Sequence, residues 1–450
     1  MRSSSSDHQV DLLVIGGGPG GLTAARFSKR RRPEWSVMVI RAQERSVVPC
    51  AMPYALDGTI TVEQFLKSDE VLLDQPGIPL WVDHVRAVNP EAKTAETERN
   101  GTVHFDRLVL ATGSEPIRPP IPGADLSGVF VVRDAPDIRA IAHELDHARR
   151  AVVIGAGYVG LEMAVVFHNR GLEVHVVEML STCLGNVCSE QIARRAGEEL
   201  VRHGIVLHTE QMATALLGKN HVTGVQVDEE EIPADIVVFA IGVRANTTLA
   251  REAGLAVGRY GVCVDERLRT SAEDIYAVGD CIEFNSFVTG EVSYGPLATN
   301  AVMEGKVAAV NLTGGHRIFP GLVNPSVTRL FENSYGAVGL NVEQAQRAGM
   351  EVVEGRAAAH TRDKPFPGAL PVVVNLVFRV SDRQLIGAEV MGGESVAERI
   401  DLLSFALLRR ATVEDLATLH FTGHPPQTDV PARMPIVNAA EDAMRQMGLL

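Results

Sequence analysis

The 450-residue sequence is poor in cysteine and in aromatic residues, with five cysteines and an aromatic content of 5%. So few cysteines exclude a dense disulfide framework. We therefore expect a reducing, cytoplasmic location, where a special cysteine is more often catalytic than structural. No apolar run approaches the ~20 residues that a membrane helix needs. The first nine residues are polar and lack the apolar core of a secretory signal. These absences predict a protein with no membrane partner.

Positive charge is also scarce, because 42 lysines and arginines stand against 56 acidic residues, for a net charge of −14. Phosphate backbones repel an acidic surface, which argues against a nucleic-acid partner. The one basic run, residues 29–32, falls where the first helix is expected to end and where the helix dipole favours positive charge. Hydrophobic residues make up 46% of the chain, which is enough for about three domains of ~100–200 residues.

Two segments repeat one pattern: an apolar run, a glycine-rich loop, a stretch compatible with helix, and a second apolar run. The first spans residues 10–40 and the second residues 151–177, so the chain contains a βαβ unit twice over. In such units GxGxxG glycines allow a tight turn, close approach of a pyrophosphate and close helix packing. The helix N-terminus then faces the phosphates. Two loops in one chain predict two dinucleotide sites, with Gly16, Gly18 and Gly21 in the first and Gly155, Gly157 and Gly160 in the second.

Breaks in the pattern divide the chain into domains. The proline-rich segment 115–123 is typical of a hinge, and a strand that ends at Gly242 closes the second unit. Alternating strands beyond residue 325 and a helix over residues 395–408 indicate an α+β tail. We expect an α/β protein with two Rossmann-like dinucleotide-binding domains, the second inserted in the first, and an α+β C-terminal domain. The predicted bounds are 1–118 and 243–324 for the two parts of the first domain, 119–242 for the inserted domain and 325–450 for the C-terminal domain.

The residue at the end of each βαβ unit bears on which cofactor binds. Glu178 ends the second unit, near the offset at which an acid contacts ribose hydroxyls, and an acid there repels a 2′-phosphate. It favours NADH over NADPH, although a solvated strand-end carboxylate is an alternative interpretation. The first unit has Arg41, not an acid, at the equivalent position.

With these motifs the chain resembles the two-dinucleotide-binding flavoproteins of the pyridine nucleotide-disulfide oxidoreductase superfamily over nearly its whole length. The supporting segments are residues 16–21, 110–113, 155–162 and 276–280. The resemblance implies that the first domain binds FAD and that the inserted domain binds NADH, with NADPH as the other donor. The implied FAD residues are Gly16, Gly18, Pro19, Gly21, Arg41, Ala111, Thr112, Gly113, Gly279, Asp280, Leu297, Ala298 and Thr299. Those implied at the nicotinamide cofactor are Gly155, Gly157, Tyr158, Gly160, Glu162, Glu178 and Gly242, with Tyr158 as a gate of the nicotinamide pocket.

Cys50 lies in a Cys-Ala-Met-Pro-Tyr segment, and a helix is expected to begin near Pro53 because proline suits a first helical turn. A thiol at a helix N-terminus has a lowered pKa and is a better nucleophile. On spacing alone, catalysis and a buried small hydrophobic role both remain open. The segment resembles the Cys-Gly-Leu-Pro-Tyr segment of the single-cysteine subgroup, which comprises coenzyme A-disulfide reductases, NADH oxidases and peroxidases, and persulfide reductases. The resemblance implies a redox cysteine beside the flavin that works alone, because Ala55 stands where two-cysteine enzymes have the partner.

The remaining cysteines and histidines give weaker indications of a catalytic or metal-binding role. Cys183 and Cys188 have the spacing of a redox pair, but they lie in the inserted domain. No His/Cys cluster has a metal-ligand spacing, so we expect no metal. His424 with Asp429 resembles the acid–base segment of disulfide reductases, although the same stretch also resembles the subgroup's Tyr-Ala-Pro-Pro segment, which has no histidine. In the family this residue reaches the partner's active site, which implies a homodimer through the C-terminal domain.

We expect an enzyme that passes hydride from NADH through FAD to Cys50, which reduces a low-molecular-weight disulfide, persulfide or polysulfide such as a coenzyme A derivative. Pro19 stands where oxidase and peroxidase members usually carry a histidine, so a proton route to peroxide is missing. Arg41 and Arg45 could attract an anionic thiol, and no sulfurtransferase domain is expected after residue 450. The alternatives are an NADH oxidase or peroxidase, a ferredoxin reductase-like enzyme with a bystander Cys50, and a non-catalytic flavin-binding interaction protein.

Overall fold

The structure is a computed structural model that describes residues 8–47, 49–67 and 77–450. It divides into two compact units. Unit 1 contains the described residues up to Ile117 together with Arg133–Arg139 and Val243–Leu322, and unit 2 contains Arg118–Val132, Ala140–Gly242 and Val323–Leu450. The four-part division expected from the sequence is finer than these units and stays a prediction.

The strands, in chain order, are β1 His8–Ile15, β2 Val37–Arg41, β3 Ser46–Val47, β4 Leu66–Lys67, β5 Leu80–Val82, β6 Val85–Asn89, β7 Thr94–Thr97, β8 Thr102–Leu110, β9 Ser114–Pro116, β10 Val129–Val131, β11 Arg150–Ile154, β12 Glu173–Val177, β13 Val206–His208, β14 Ala213–Gly218, β15 Val222–Val227, β16 Glu230–Pro233, β17 Ile236–Phe239, β18 Val243–Ala245, β19 Val262–Cys263, β20 Ile275–Ala277, β21 Ile282–Asn285, β22 Val292–Ser293, β23 Ser326–Leu330, β24 Asn333–Gly339, β25 Val352–His360, β26 Pro371–Arg379 and β27 Leu385–Gly392.

The α-helices are α1 Pro19–Arg31, α2 Val62–Phe65, α3 Ala135–Leu145, α4 Tyr158–Asn169, α5 Glu190–Arg202, α6 Thr248–Glu252, α7 Ala298–Leu312, α8 Val342–Arg347, α9 Val396–Leu408, α10 Val413–Ala417 and α11 Pro435–Gln446. Short 3₁₀ helices cover Pro49–Ala51, Pro53–Ala55 and Pro431–Arg433. No helix within the described ranges is both long enough and apolar enough to cross a membrane.

Unit 1 is built on a largely parallel sheet in the order β5-β2-β1-β8-β7-β6, with β20 paired to β8. All five residues of β2 are buried, as expected of a parallel strand that helices cover on both faces. The register aligns Ile15 with Leu110, and Leu110 with Ala277. The loops that follow these three strands therefore leave the sheet at the same carboxyl edge, where open α/β sheets bind their ligands.

Unit 2 contains a second parallel sheet, in the order β10-β17-β11-β12-β13, and an antiparallel sheet in the order β23-β24-β27-β26-β25. The parallel sheet lies in sequence between the two main segments of unit 1, as expected of an inserted domain. The expected fold class is confirmed. The helix expected over residues 395–408 is α9, which starts one residue later, and the helix expected near Pro53 is a short 3₁₀ helix.

Glu199 on α5 links the part of unit 2 that contains the parallel sheet to the antiparallel sheet of the same unit. Its side chain is buried, and its carboxylate accepts hydrogen bonds from the hydroxyl of Tyr335 and from the side-chain amide of Asn333, the latter at 3.0 Å. Burial and then the hydrogen bond to Glu199 raise the pKa of Tyr335, so the phenol remains a donor at neutral pH. A buried carboxylate of this kind is tolerated only while its donors are in place.

Tyr335→Phe removes one of these donors and leaves Glu199 under-partnered in the interior. The free energy of unfolding should fall by about 1–3 kcal/mol, the cost of a buried polar group that loses its partner. Chemical unfolding followed by circular dichroism measures this change. Tyr260→Phe is the control, because that ring is exposed and its change should stay within about 0.5 kcal/mol. Equal effects of the two substitutions would contradict the assigned role of Glu199.

Candidate active site

A pocket opens at the carboxyl edge of the parallel sheet of unit 1. Gly16 follows β1, Ala111 follows β8 and Val278 follows β20, and all three line this pocket. Its walls are the glycine-rich loop, the segment after β2, the segment after β8, the start of α3 and the segment after β20. The lining residues are Gly16, Gly17, Gly18, Pro19, Gly20, Gly21, Arg41, Gln43, Glu44, Arg45, Ser46, Val47, Leu66, Ala111, Thr112, Gly113, Arg133, Asp134, Ala135, Pro136, Arg139, Val278, Gly279, Asp280 and Ala301.

The glycines of this loop differ in how much room a side chain would have. Gly16 has φ +117°, and a Cβ there would lie 2.0 Å from the carbonyl oxygen of Ala111. A Cβ on Gly21 would lie 2.2 Å from the carbonyl oxygen of Gly16. Gly18 has no atom within 4 Å of the Cβ position, so it faces open space. It is also the N-cap of the 13-residue helix α1, whose unpaired N–H groups suit a phosphate.

The segment after β20 is held from three directions. The hydroxyl of Ser114 donates to a carboxylate oxygen of Asp280 at 2.8 Å, and the hydroxyl of Tyr294 donates to the backbone carbonyl of Asp280 at 2.8 Å. Glu304 accepts the backbone N–H of Gly279 at 2.7 Å. Sequence reasoning found Gly279 and Asp280 but missed Ser114, Tyr294 and Glu304, which are far apart in the chain and belong to no short motif.

Arg41, and not an acid, is the last residue of β2, and the structure shows what its guanidinium contacts. Its buried guanidinium donates to the carbonyl oxygens of Gln43 and Glu44, at 2.8 and 2.6 Å, and to the hydroxyl of Ser46 at 2.6 Å. The Ser46 hydroxyl in turn donates to the carbonyl of Gly17 at 3.1 Å. Arg41 thus ties the chain that leads to Cys50 to the glycine-rich loop.

The neighbouring Arg45 is compensated by an acid. Its guanidinium lies 2.9 Å from the carboxylate of Glu63, which also contacts Arg139 at 3.1 Å. All three side chains are largely exposed, so each pair contributes little to stability. One acid is thus shared by two arginines at this rim of the pocket, which also carries Glu44 and Asp134.

Cys50 differs from the other four cysteines in its access to solvent. It is exposed and lies in the 3₁₀ helix Pro49–Ala51, directly before the 3₁₀ helix Pro53–Ala55. Burial raises the pKa of Cys183 to about 12 and that of Cys281 to about 11, and it also raises the pKa of Cys188 and Cys263. Those four thiols therefore stay protonated at neutral pH, when they are poor nucleophiles. Cys50 does not line the pocket, but segment 41–47 connects it to the pocket wall.

Unit 2 repeats the loop geometry around its own parallel sheet. Gly155 has φ +104°, and a Cβ on Gly160 would lie 1.9 Å from the carbonyl oxygen of Gly155. Gly157 again faces open space and caps the N-terminus of α4. The carboxylate of Glu178 accepts the backbone N–H groups of Ala156 and Leu180, at 2.7 and 2.9 Å. Glu178 therefore lies against the glycine-rich loop of unit 2.

Two further expected residues on α4 are partnered by β23. The hydroxyl of Tyr158 lies 2.8 Å from that of Ser326, and the hydroxyl of Thr328 donates to the carboxylate of Glu162 at 2.9 Å. Burial raises the pKa of both Tyr158 and Glu162. The β23 partners were missed from the sequence, because alternation along a strand does not reveal what its side chains will meet.

The two expected acid–base residues of the tail are not brought together. Asp429 is buried and accepts the backbone N–H groups of His360 and Val430, at 2.9 and 2.8 Å. Burial opposes ionisation of Asp429, but these hydrogen bonds outweigh it and lower the pKa. Its ion-pair contacts are with His360 and Arg433 and do not include His424, which is exposed. The catalytic pair stays a prediction for the assembled protein.

The remaining expected residues lie at the start of a helix or directly before a strand. Leu297 is the N-cap of α7, which Ala298 and Thr299 open, and none of the three lines the pocket of unit 1. Gly242 follows β17 with φ +107°. Among the described residues, no group of three or more His, Cys, Asp or Glu side chains is placed to hold a metal ion.

Comparison with known proteins gives two family matches. A family model described as pyridine nucleotide-disulphide oxidoreductase matches residues 10–305, and the model of the dimerisation domain of such proteins matches residues 326–435. The two matches cover most of the chain.

Individual proteins are similar over nearly the whole chain. An NADH oxidase of Methanocaldococcus jannaschii is 35% identical, over 97% of this chain and 99% of the relative. A CoA-dependent NAD(P)H sulfur oxidoreductase of Pyrococcus abyssi is 32% identical, over 92% of this chain and 94% of the relative. The solved structure of an NAD-dependent persulfide reductase from A. fulgidus has a TM-score of 0.93 at 31% identity, and the match covers 97% of this chain and 84% of that one.

Gly18 and Gly157 allow the two expected nucleotide sites to be tested separately. Both face open space, so alanine at either position should leave the fold intact by circular dichroism. A methyl group at Gly18 would meet the first dinucleotide and should lower FAD affinity at least about tenfold, or about 1.4 kcal/mol. Gly157→Ala should retain FAD and weaken binding of NADH by a similar factor. FAD content and NADH titration measure the two effects, and loss of FAD from Gly157→Ala would contradict the assignment.

Proposed function

The chain belongs to the pyridine nucleotide-disulphide oxidoreductase family, and from that premise we propose that Cys50 is the redox thiol with which it reduces a small disulfide, persulfide or polysulfide. The family resemblance noted in the sequence is confirmed. The chain is an FAD-dependent oxidoreductase that takes hydride from NAD(P)H. What we propose concerns the residues that act and the sulfur compound that is reduced.

The exposure of Cys50 is the observation that carries this proposal. Burial raises the pKa of the other four thiols, whereas Cys50 is exposed and accessible to a substrate. Ala55 provides no resolving thiol five residues later. The substrate must then supply the second sulfur of any disulfide that Cys50 forms.

We assign FAD to the pocket of unit 1. Positive φ at Gly16 and the open space at Gly18 suit the close approach of a pyrophosphate, and the N-terminus of α1 supplies N–H groups for it. We assign the ribose hydroxyls to Gln43 and Glu44, which line the pocket just after Arg41. We assign NAD(P)H to the glycine-rich loop of unit 2, with Glu178 as the ribose acceptor. Bound flavin supplies the transfer of two electrons from the nicotinamide to sulfur.

The part of Cys50 in turnover follows from thiol–disulfide exchange. The Cys50 thiolate attacks one sulfur of the substrate, a mixed disulfide forms, and the other sulfur leaves as a thiolate or as hydrosulfide. Two electrons and one proton then cleave the mixed disulfide, which restores Cys50 and releases the reduced substrate fragment. For the proton donor we propose His424, contributed by a second copy of the chain, or water.

The names of similar proteins support a coenzyme A-linked sulfur substrate. The P. abyssi relative is named a CoA-dependent sulfur oxidoreductase, and the A. fulgidus structure is named a persulfide reductase. The matched dimerisation domain supports a homodimer, formed through residues 326–435. Oxygen is the second candidate acceptor, because the M. jannaschii relative is named an NADH oxidase.

Turnover with a panel of acceptors tests the role of Cys50. We expect the highest kcat/KM with coenzyme A persulfide, coenzyme A disulfide or polysulfide rather than with peroxide or oxygen. Cys50→Ser should lower kcat/KM for the sulfur substrates by about a thousandfold or more, the scale seen when an enzyme loses its nucleophile. Cys263→Ser is the matched control, because that thiol lies in the same unit with a raised pKa and should be dispensable. Full sulfur reduction by Cys50→Ser, or a preference for oxygen, would refute the proposal.

Glu178 should make NADH the preferred donor. Glu178→Gln keeps an acceptor for the backbone N–H of Ala156 but removes the charge that repels a 2′-phosphate. The preference for NADH over NADPH should therefore fall by roughly 1–2 kcal/mol, the scale of one hydrogen bond to a charged group. Steady-state kinetics with both donors measures it, with Glu173→Gln on the exposed start of β12 as the control. A wild-type preference for NADPH would refute the assignment.

A further inference from the structure

Glu304 is a buried acid behind the pocket of unit 1 that the proposed chemistry does not use. It lies on α7 with only 2% of its surface exposed, and it does not line the pocket. One carboxylate oxygen accepts the backbone N–H of Gly279 at 2.7 Å. Gly279 does line the pocket, so the carboxyl group lies one residue behind the pocket wall.

The loop that Glu304 contacts has a special backbone conformation. Gly279 has φ +78°, which favours glycine, and Asp280 follows it directly. Ser114 and Tyr294 hold Asp280 through its carboxylate and its backbone carbonyl. Glu304 holds the same loop from α7, through its contact with Gly279. The side chain therefore supports the pocket wall.

Among the described residues, the charge that acts on Glu304 is the negative one of Asp280. On the facing loop the ionisable residues are Asp280 and Cys281, and the thiol of Cys281 is fully buried and protonated. The surface of α1 that packs against α7 at Gly305 presents Gly20, Thr23 and Ala24, none of which ionises. Burial raises the pKa of Glu304 to about 7, with the Gly279 hydrogen bond opposing this shift and the charge of Asp280 adding to it.

We propose that Glu304 is a positioning residue for FAD and that its carboxyl group takes up a proton when FAD binds. The pyrophosphate of FAD brings negative charge into a pocket whose wall already carries Asp280. A charged carboxylate at Glu304 repels that charge through a poorly screened interior, whereas a neutral carboxyl group still accepts the N–H of Gly279. The inference rests on the FAD assignment and not on the sulfur substrate.

The direction of the pH dependence follows from linkage. The protonated form of Glu304 binds FAD more tightly, so bound FAD raises the pKa of this carboxyl group above its value in the FAD-free protein. Affinity is highest below pH 7 and falls as pH rises above it, by at most about tenfold per pH unit for a single proton. None of the residues that line the described pocket is a histidine or a cysteine, the side chains whose ordinary pKa values lie nearest this range.

The test measures FAD release when the holoenzyme is diluted at a series of pH values between 6 and 8.5, with flavin fluorescence as the readout. In the wild type, Kd should rise at least about threefold from pH 6.5 to 8.5, within the limit that linkage sets. Glu304→Gln, which is neutral at every pH and retains an acceptor, should give a Kd that does not vary over this range. Glu252→Gln, an exposed change on α6, should behave as the wild type.

Heats of dilution of the wild-type holoenzyme, in two buffers with different ionisation enthalpies, provide a second measurement that needs no substitution. Release of FAD near pH 7.5 should release protons, which would make the heats differ between the buffers. The proposal is overturned by a wild-type Kd that is flat with pH, by equal heats in both buffers, or by an unchanged pH dependence in Glu304→Gln. If Glu304→Gln does not fold, the wild-type heats decide.

Discussion

Close approach of backbone segments at the carboxyl edge of each parallel sheet is the constraint on which the rest of the structure depends. In unit 1 the carbonyl of Ala111 lies where a Cβ of Gly16 would be, and in unit 2 the carbonyl of Ala240 has the same relation to Gly155. Only glycine fits at these positions. Gly18 and Gly157, which cap the helices that follow, have open space at their Cβ positions, so no side chain crowds either helix N-terminus.

The thiol chemistry of the protein depends on how deeply each cysteine is buried. Cys183, Cys188 and Cys281 are buried, and burial raises the pKa of each, so their thiols are poor nucleophiles. Cys50 is exposed, and it follows in sequence the segment that Arg41 ties to the glycine-rich loop through Ser46. Arg41, at the end of β2, thus takes a structural role, because its guanidinium donates hydrogen bonds to the backbone carbonyls of Gln43 and Glu44.

Buried or partly buried carboxyl groups occur on helices of both units. Glu162 is partnered by Thr328, Glu304 by the backbone of Gly279, and Glu199 by Tyr335 and Asn333. Each partner comes from a distant part of the chain, so each acid fixes a helix against another element of its unit. Burial also raises the pKa of Glu162 and of Glu304.

Local pattern was enough to determine the two βαβ units, the inserted order of the domains, the glycines and the lone Cys50 motif, because strand and helix periodicity and turn chemistry act over short stretches of chain. The tertiary structure decided what those residues meet. It placed Asp429 beside His360, joined Tyr158 to Ser326, bonded Arg41 within its own loop and placed Glu304 behind Gly279. These pairings depend on which strands and helices pack together and on how deeply a group is buried, and neither is encoded in the spacing of a short motif.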